Sequence, residues 1–84
     1  MISDVFWQYK GICEFMAEYP ATYAMDIKRR ELHGKLLSSV KGVKRKENLT
    51  FILHNLPKGF DWETVLAYID DIEGFKKDLK KYYQ

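Results

Sequence analysis

Two apolar stripes, one at each end of the chain, share a spacing that only a helix can use. Ile2, Val5, Tyr9, Ile12, Met16 and Tyr19 recur at intervals of 3, 4, 3, 4 and 3, and so do Val65, Tyr68, Ile72, Phe75, Leu79 and Tyr82. Alternating steps of three and four keep side chains on one helical face and would scatter them over both sides of a strand. Each end of the chain therefore reads as an amphipathic helix needing cover on one side. Heptad-like seams of this kind suit nearly antiparallel packing or dimerisation.

Phe6 and Cys13 widen the first stripe, Ser3 or Asp4 can cap its start, and Pro20 ends the helix near Tyr19. Gly11 sits mid-helix at a cost of about 1 kcal/mol against Ala, which suggests a close helix contact there. Trp7 lies about 200° around the helix from Val5, off the stripe, and is a candidate interface anchor unless a second element covers it. Thr22 is placed to cap a second helix reaching about Val40, with Leu32, Leu36 and Val40 as its ladder and Gly42 as its terminating glycine.

A third helix is expected over 48–56, with Asn48 as cap and Leu49, Ile52, Leu53 and Leu56 on one face. The rival reading makes 43–46 and 49–54 a small β-hairpin, because Leu49, Phe51 and Leu53 alternate and Thr50 and Ile52 are β-branched. Phe51 falls off the helical stripe and joins Trp7 as a candidate protein-interface residue. Asp61 caps the last helix, Phe60 and Val65 have the spacing of a hydrophobic staple, and Gly74 is where this helix would break or bend. The expected fold is all-α: a compact bundle of four to five helices over 3–19, 22–40, 48–56 and 61–83. The alternative is an α+β fold containing the hairpin.

Eighty-four residues, 46% of them hydrophobic, are expected to form a single domain over 1–84 close to the lower size limit for one core. So small a domain leaves part of its 15% aromatic content exposed or turned to a partner, which makes self-association a reasonable expectation. The lone Cys13 excludes an internal disulfide framework and fits a reducing, cytoplasmic compartment. No signal peptide is read at the start of the sequence, and its longest uncharged apolar stretch, 48–57, falls far short of the ~20 residues of a membrane span.

Charge is distributed less evenly than hydrophobicity. From Lys28 to Lys46 the chain carries eight Lys and Arg against Glu31 alone, a net +7 within a whole-chain charge of +2. The helix macrodipole explains some basic residues: Lys76, Lys77, Lys80 and Lys81 close the last helix and Lys41 the second, where cations are favoured. Lys44, Arg45 and Lys46 stand instead before the expected helix start at Asn48, and Lys28, Arg29 and Arg30 lie well inside the second helix. These two triplets are the candidate nucleic-acid or phosphate-binding residues, since a helix N-terminus fronted by cations is a ready anion site. A pI of about 8.6 falls short of the pI above 9 typical of a dedicated nucleic-acid binder. The eight-residue connector 41–48 is also too long for a helix-turn-helix.

Catalysis finds no constellation. His33, His54 and Cys13 fall on three expected elements, no nucleophile and base stand at a motif spacing, and no glycine-rich phosphate loop is present. Asp70, Asp71 and Glu73 read as a solvated helix face, with Glu73–Lys77 and Asp78–Lys81 as surface pairs. No metal or cofactor is expected. The run Ile52-Leu53-His54-Asn55-Leu56-Pro57-Lys58-Gly59-Phe60 resembles the helix–Leu-Pro–aromatic segment of retrotransposon capsid (Gag) domains, which implies a bias towards helical assembly. The reading is a non-enzymatic binding or regulatory module that engages nucleic acid or a nucleoprotein. The alternative is a protein-interaction or self-assembly module, acting as a small regulator or inhibitor.

Overall fold

Four breaks divide the helical sequence, and each has a local cause. The computed structural model describes residues 1–83, and among them every regular element is a helix: α1 (Ile2–Glu18), α2 (Tyr23–Ser38), α3 (Val43–His54), α4 (Trp62–Ile69) and α5 (Ile72–Tyr82). The chain divides into two compact units, one of residues 1–39 and one beginning at Val40. The all-α expectation holds, with five helices.

In the first unit, α1 packs on α2. Tyr19 is extended (φ −127°, ψ 156°), as a residue preceding proline must be, and stops α1. Thr22 then starts α2 as expected, its hydroxyl accepting from the Met25 backbone N–H at 3.2 Å. Helix α1 is capped at Met1, two or three residues before the expected caps Ser3 and Asp4, so Asp4 falls in the first turn, where a carboxylate suits the dipole. Phe6 and Tyr9 from α1 and Leu32 and Leu36 from α2 are fully or almost fully buried. The most buried line of α1 therefore runs through Phe6, and Tyr19, the last member of the expected stripe, is exposed.

The second unit departs from expectation at its start. Helix α3 begins at Val43, five residues before Asn48, with Gly42 at its N-cap. Gly42 has φ +94°, which only glycine adopts easily, and it serves the start of α3 and not the end of α2, which closes at Ser39. No hairpin forms: 43–46 and 49–54 are one continuous helix. Asn48 is left within that helix and buried, its side-chain amide donating to the Ile69 carbonyl at 3.0 Å. It closes the C-terminal end of α4 instead of opening α3.

The last expected helix is two. The break comes at Asp70–Asp71, before Gly74, because Asp71 turns its carboxylate onto the Gly74 N–H at 3.1 Å and caps α5. A Cβ at Gly74 would collide with the Asp71 carboxylate in its capping rotamer. Asp61 opens α4, accepting from the Thr64 N–H at 2.8 Å and the Thr64 hydroxyl at 2.7 Å. Phe60 and Val65, the expected staple pair, are both buried.

Aromatic rings fill this unit. Phe60 stacks on Tyr68 (centroids 5.8 Å apart, planes 8° from parallel) and meets Phe75 and Tyr82 edge-on at 6.0 and 5.3 Å. Such pairs add about 0.5–1.5 kcal/mol each beyond the area they bury. Leu49, Ile52, Leu53, Trp62, Val65, Ile69 and Phe75 are buried beside them. Among the described residues no helix is long and apolar enough to cross a membrane.

Candidate interaction surfaces

The basic candidates lie in different units, Lys28–Arg30 on α2 and Lys44–Lys46 on α3, and most of them have work within their own unit. Asp26 takes both arginines of the first triplet, Arg29 Nη2 at 2.9 Å and Arg30 Nη2 at 3.0 Å, one helical turn away. The Arg29 bond holds the Asp26 carboxyl below the usual carboxylate range and pushes the guanidinium upward. Lys28 projects into solvent. Sequence reading overlooked Asp26, although spacings of three and four are the ordinary signature of such pairs.

The second triplet is not in a connector. It occupies the first turn of α3, and the linker between α2 and α3 shrinks to residues 39–42, which removes the connector-length objection to a helix-turn-helix. Lys41 lies in that linker and no longer at a helix end. Two of the three cations offset the unfavourable dipole locally. Arg45 Nε donates to Asp70 Oδ1 at 3.0 Å, and Lys46 Nζ donates to the Val40 carbonyl at 2.8 Å. Lys44 remains exposed, in a first turn that contains no acid.

The acids at the α4–α5 junction and on α5 behave as a helix surface. Asp70 pairs with Arg45, Asp71 caps, Glu73 pairs with Lys76 at 3.5 Å in place of the expected Lys77, and Asp78 pairs with Lys81 at 3.6 Å. Among the described residues no group of three His, Cys, Asp or Glu is gathered closely enough to hold a metal ion. Cys13 is a half-buried free thiol beside the Tyr9 hydroxyl; burial raises the thiol pKa and pushes Tyr9 up to about 12.

The two interface candidates differ. Phe51 is half-buried, edge-on to Phe75 at 6.0 Å, with Lys76 Nζ 5.3 Å from its ring. Its place is mainly inside the second unit. Trp7 is 54% exposed, edge-on to Phe6 at 6.0 Å and carrying the Lys10 ammonium 5.0 Å from its ring. Lys10 is itself almost fully buried, its stem covered and its charge directed to the indole.

Trp7 is not alone. Phe15 is 47% and Tyr19 54% exposed, their rings 4.7 Å apart. Positions 7, 11 and 15 form an i, i+4 ladder along α1 whose second rung is Gly11, and Tyr19, extended just past the helix end, prolongs it through its ring contact with Phe15. The close contact expected at Gly11 is absent: no atom lies within 4 Å of where its Cβ would stand. A shallow, open groove of about 490 Å³ runs past this position, lined by Gln8, Gly11, Ile12, Phe15 and Met25. Sequence reading noticed Trp7 and Gly11 separately; the ladder joining them is visible in their four-residue spacing. No protein-family model, curated protein or solved structure matches this chain.

Proposed function

We propose that this chain is a non-enzymatic helical binding module that engages another polypeptide through the outer face of α1. The observation carrying this reading is the exposed aromatic ladder Trp7–Phe15–Tyr19 interrupted by the open notch at Gly11. Apolar surface grouped on one helix, with a groove beside it, is the usual form of a protein-docking site, and Trp and Tyr are the side chains most often found at interface hot spots. A small cytoplasmic regulator or inhibitor, acting on a different protein or on a second copy, would work in this way. Purification of the tagged chain from its host, beside a Trp7→Ser/Phe15→Ser variant, tests the reading. A partner held by the wild type, lost by the variant and indifferent to nuclease is expected; identical partners on both would end it.

A second reading rests on the acid-free first turn of α3. There the exposed Lys44, with Arg45 and Lys46 behind it, would meet the phosphates of nucleic acid or a nucleoprotein, and exposed Lys28 and Arg30 would add to non-specific attraction. Titration of short DNA and RNA at rising salt decides it. Binding that weakens with salt and falls on Lys44→Glu is expected, and no binding at low ionic strength removes this reading.

A further inference from the structure

We propose that the occupant of the α1 face is a basic amphipathic helix belonging to a different protein. This inference rests on the protein-docking reading above and names its partner. The charges around the ladder set the partner's sign. Glu14 and Glu18 are both exposed, and helical geometry places them on the same side of α1 as Trp7, Gly11 and Phe15, whereas Asp4 on that side is paired with the N-terminal ammonium at 3.4 Å. The last turn of α1 contains no basic residue, so Glu18 adds to the negative end of the dipole where folding alone would favour a cation. The one cation of α1, Lys10, is buried with its ammonium over Trp7. On α2, Asp26 pairs with both Arg29 and Arg30, and Lys28 and Lys35 are exposed, so the acidic margin is on the α1 side alone. An apolar groove with acids along one margin attracts Lys and Arg.

The shape argues for a helix. A ridge of i, i+4 side chains with one rung missing accepts a single apolar knob from a crossing helix whose own i, i+4 rows slot alongside. Such a ligand shows apolar anchors at i, i+3, i+4 and i+7 with Lys or Arg on its flanks. A second copy of this chain does not supply it. The chain's own amphipathic basic helix is α5, and its central anchor, Phe75, is already buried among the aromatics of its own unit.

The test uses the full chain and two synthetic helical peptides with identical Leu anchors, one with Lys and one with Glu at every flanking position. Binding is followed by Trp fluorescence and calorimetry. The Lys peptide should bind at least about tenfold more tightly than its Glu twin, a difference that shrinks with added salt. Glu14→Gln/Glu18→Gln should lose most of that preference. Gly11→Leu, which fills the notch at an exposed position, should abolish binding while circular dichroism stays unchanged. Equal binding of both peptides, lost on Gly11→Leu, would overturn the basic partner and leave the docking face standing. Binding of the Lys peptide that ignores both variants would place it elsewhere and overturn the inference. No binding of either peptide overturns it too, and the host purification with Trp7→Ser/Phe15→Ser then decides the docking reading separately.

Discussion

The two units use similar apolar composition in opposite ways. The second unit turns most of its large side chains inward: Phe60, Trp62 and Phe75 are buried and Phe60 touches three other rings, while Val43, Tyr82 and Tyr83 stay exposed. The first unit buries Phe6, Tyr9, Leu32 and Leu36 but leaves Trp7, Phe15, Tyr19, Tyr23 and Ile27 exposed. Polar ties differ in number more than in kind. In the first unit Thr22 to Met25 and Asp26 to Arg29 and Arg30 span three or four residues, and Arg29 also reaches Tyr9 of α1. In the second, Asn48 to Ile69, Arg45 to Asp70 and Tyr83 to Leu56 all join distant segments. The second unit packs its rings against one another, and the first leaves more of its large apolar side chains in water.

The largest test of this contrast pairs two aromatics. Phe60→Ala removes the ring at the centre of the second unit and should cost about 3–5 kcal/mol in denaturant unfolding. Trp7→Ala should cost no more than about 1 kcal/mol, since half of the indole is already in water and its main tie is the Lys10 ammonium. Comparable losses would mean that the outer face of α1 is structural after all.

Asn48 offers the next largest effect. Asn48→Ala strands the Ile69 carbonyl, which the side-chain amide satisfies in a buried site, at a cost of about 1–3 kcal/mol. Amide hydrogen exchange should speed up first across α3 and α4. If exchange accelerates only in α1 and α2, the long-range tie is not what consolidates the second unit.

Asn48 also shows where sequence reading stops. The helices, the Thr22 and Asp61 caps and the Phe60–Val65 staple positions were legible because each depends on neighbours within a few residues. The start of α3 was misplaced because Asn is a good cap by local rules, while its real partner is 21 residues away. Glycine's weak helix propensity points to Gly74 as the break before α5, but Asp71 causes it by capping, with its carboxylate in the space a Cβ at Gly74 would take. In the candidate surfaces, Asp26 was within reach of the pattern and Asp70 was not, because Arg45 lies 25 residues before it. A helical wheel gives the bearing of Trp7 but cannot say whether anything covers it.

The two glycines sharpen the comparison on a smaller scale. Gly11→Ala adds a methyl group to empty space and gains helix propensity, so it should stabilise the chain by about 1 kcal/mol. Gly74→Ala gains the same propensity but drives a Cβ into the Asp71 carboxylate, which forfeits a cap worth about 0.5–2 kcal/mol. The first melting temperature should rise, and the second should stay level or fall. A rise in both would show that Asp71 can cap α5 from another rotamer.

The smallest differences lie in pH dependence, and they separate the units by cause. In the second unit the Tyr68 hydroxyl donates to Asp78 Oδ2 at 2.6 Å, pushing Tyr68 up to about 12 and holding Asp78 below the usual carboxylate range. In the first, burial raises Tyr9 to about 12, and Arg29 lowers Asp26. A tyrosine raised on folding stabilises fully below its ordinary pKa of about 10, and that contribution disappears as pH climbs through about 12. A carboxylate lowered on folding stabilises above its ordinary pKa of about 4 and loses this as pH falls through the folded value. Tyr68→Phe should therefore flatten both limbs of the stability profile together, because one bond supplies both. Tyr9→Phe should flatten only the alkaline limb and leave the acid limb to Asp26 and Asp78. Urea midpoints measured across the pH range decide it, and an acid limb unchanged in Tyr68→Phe would show that the bond to Asp78 contributes nothing in solution.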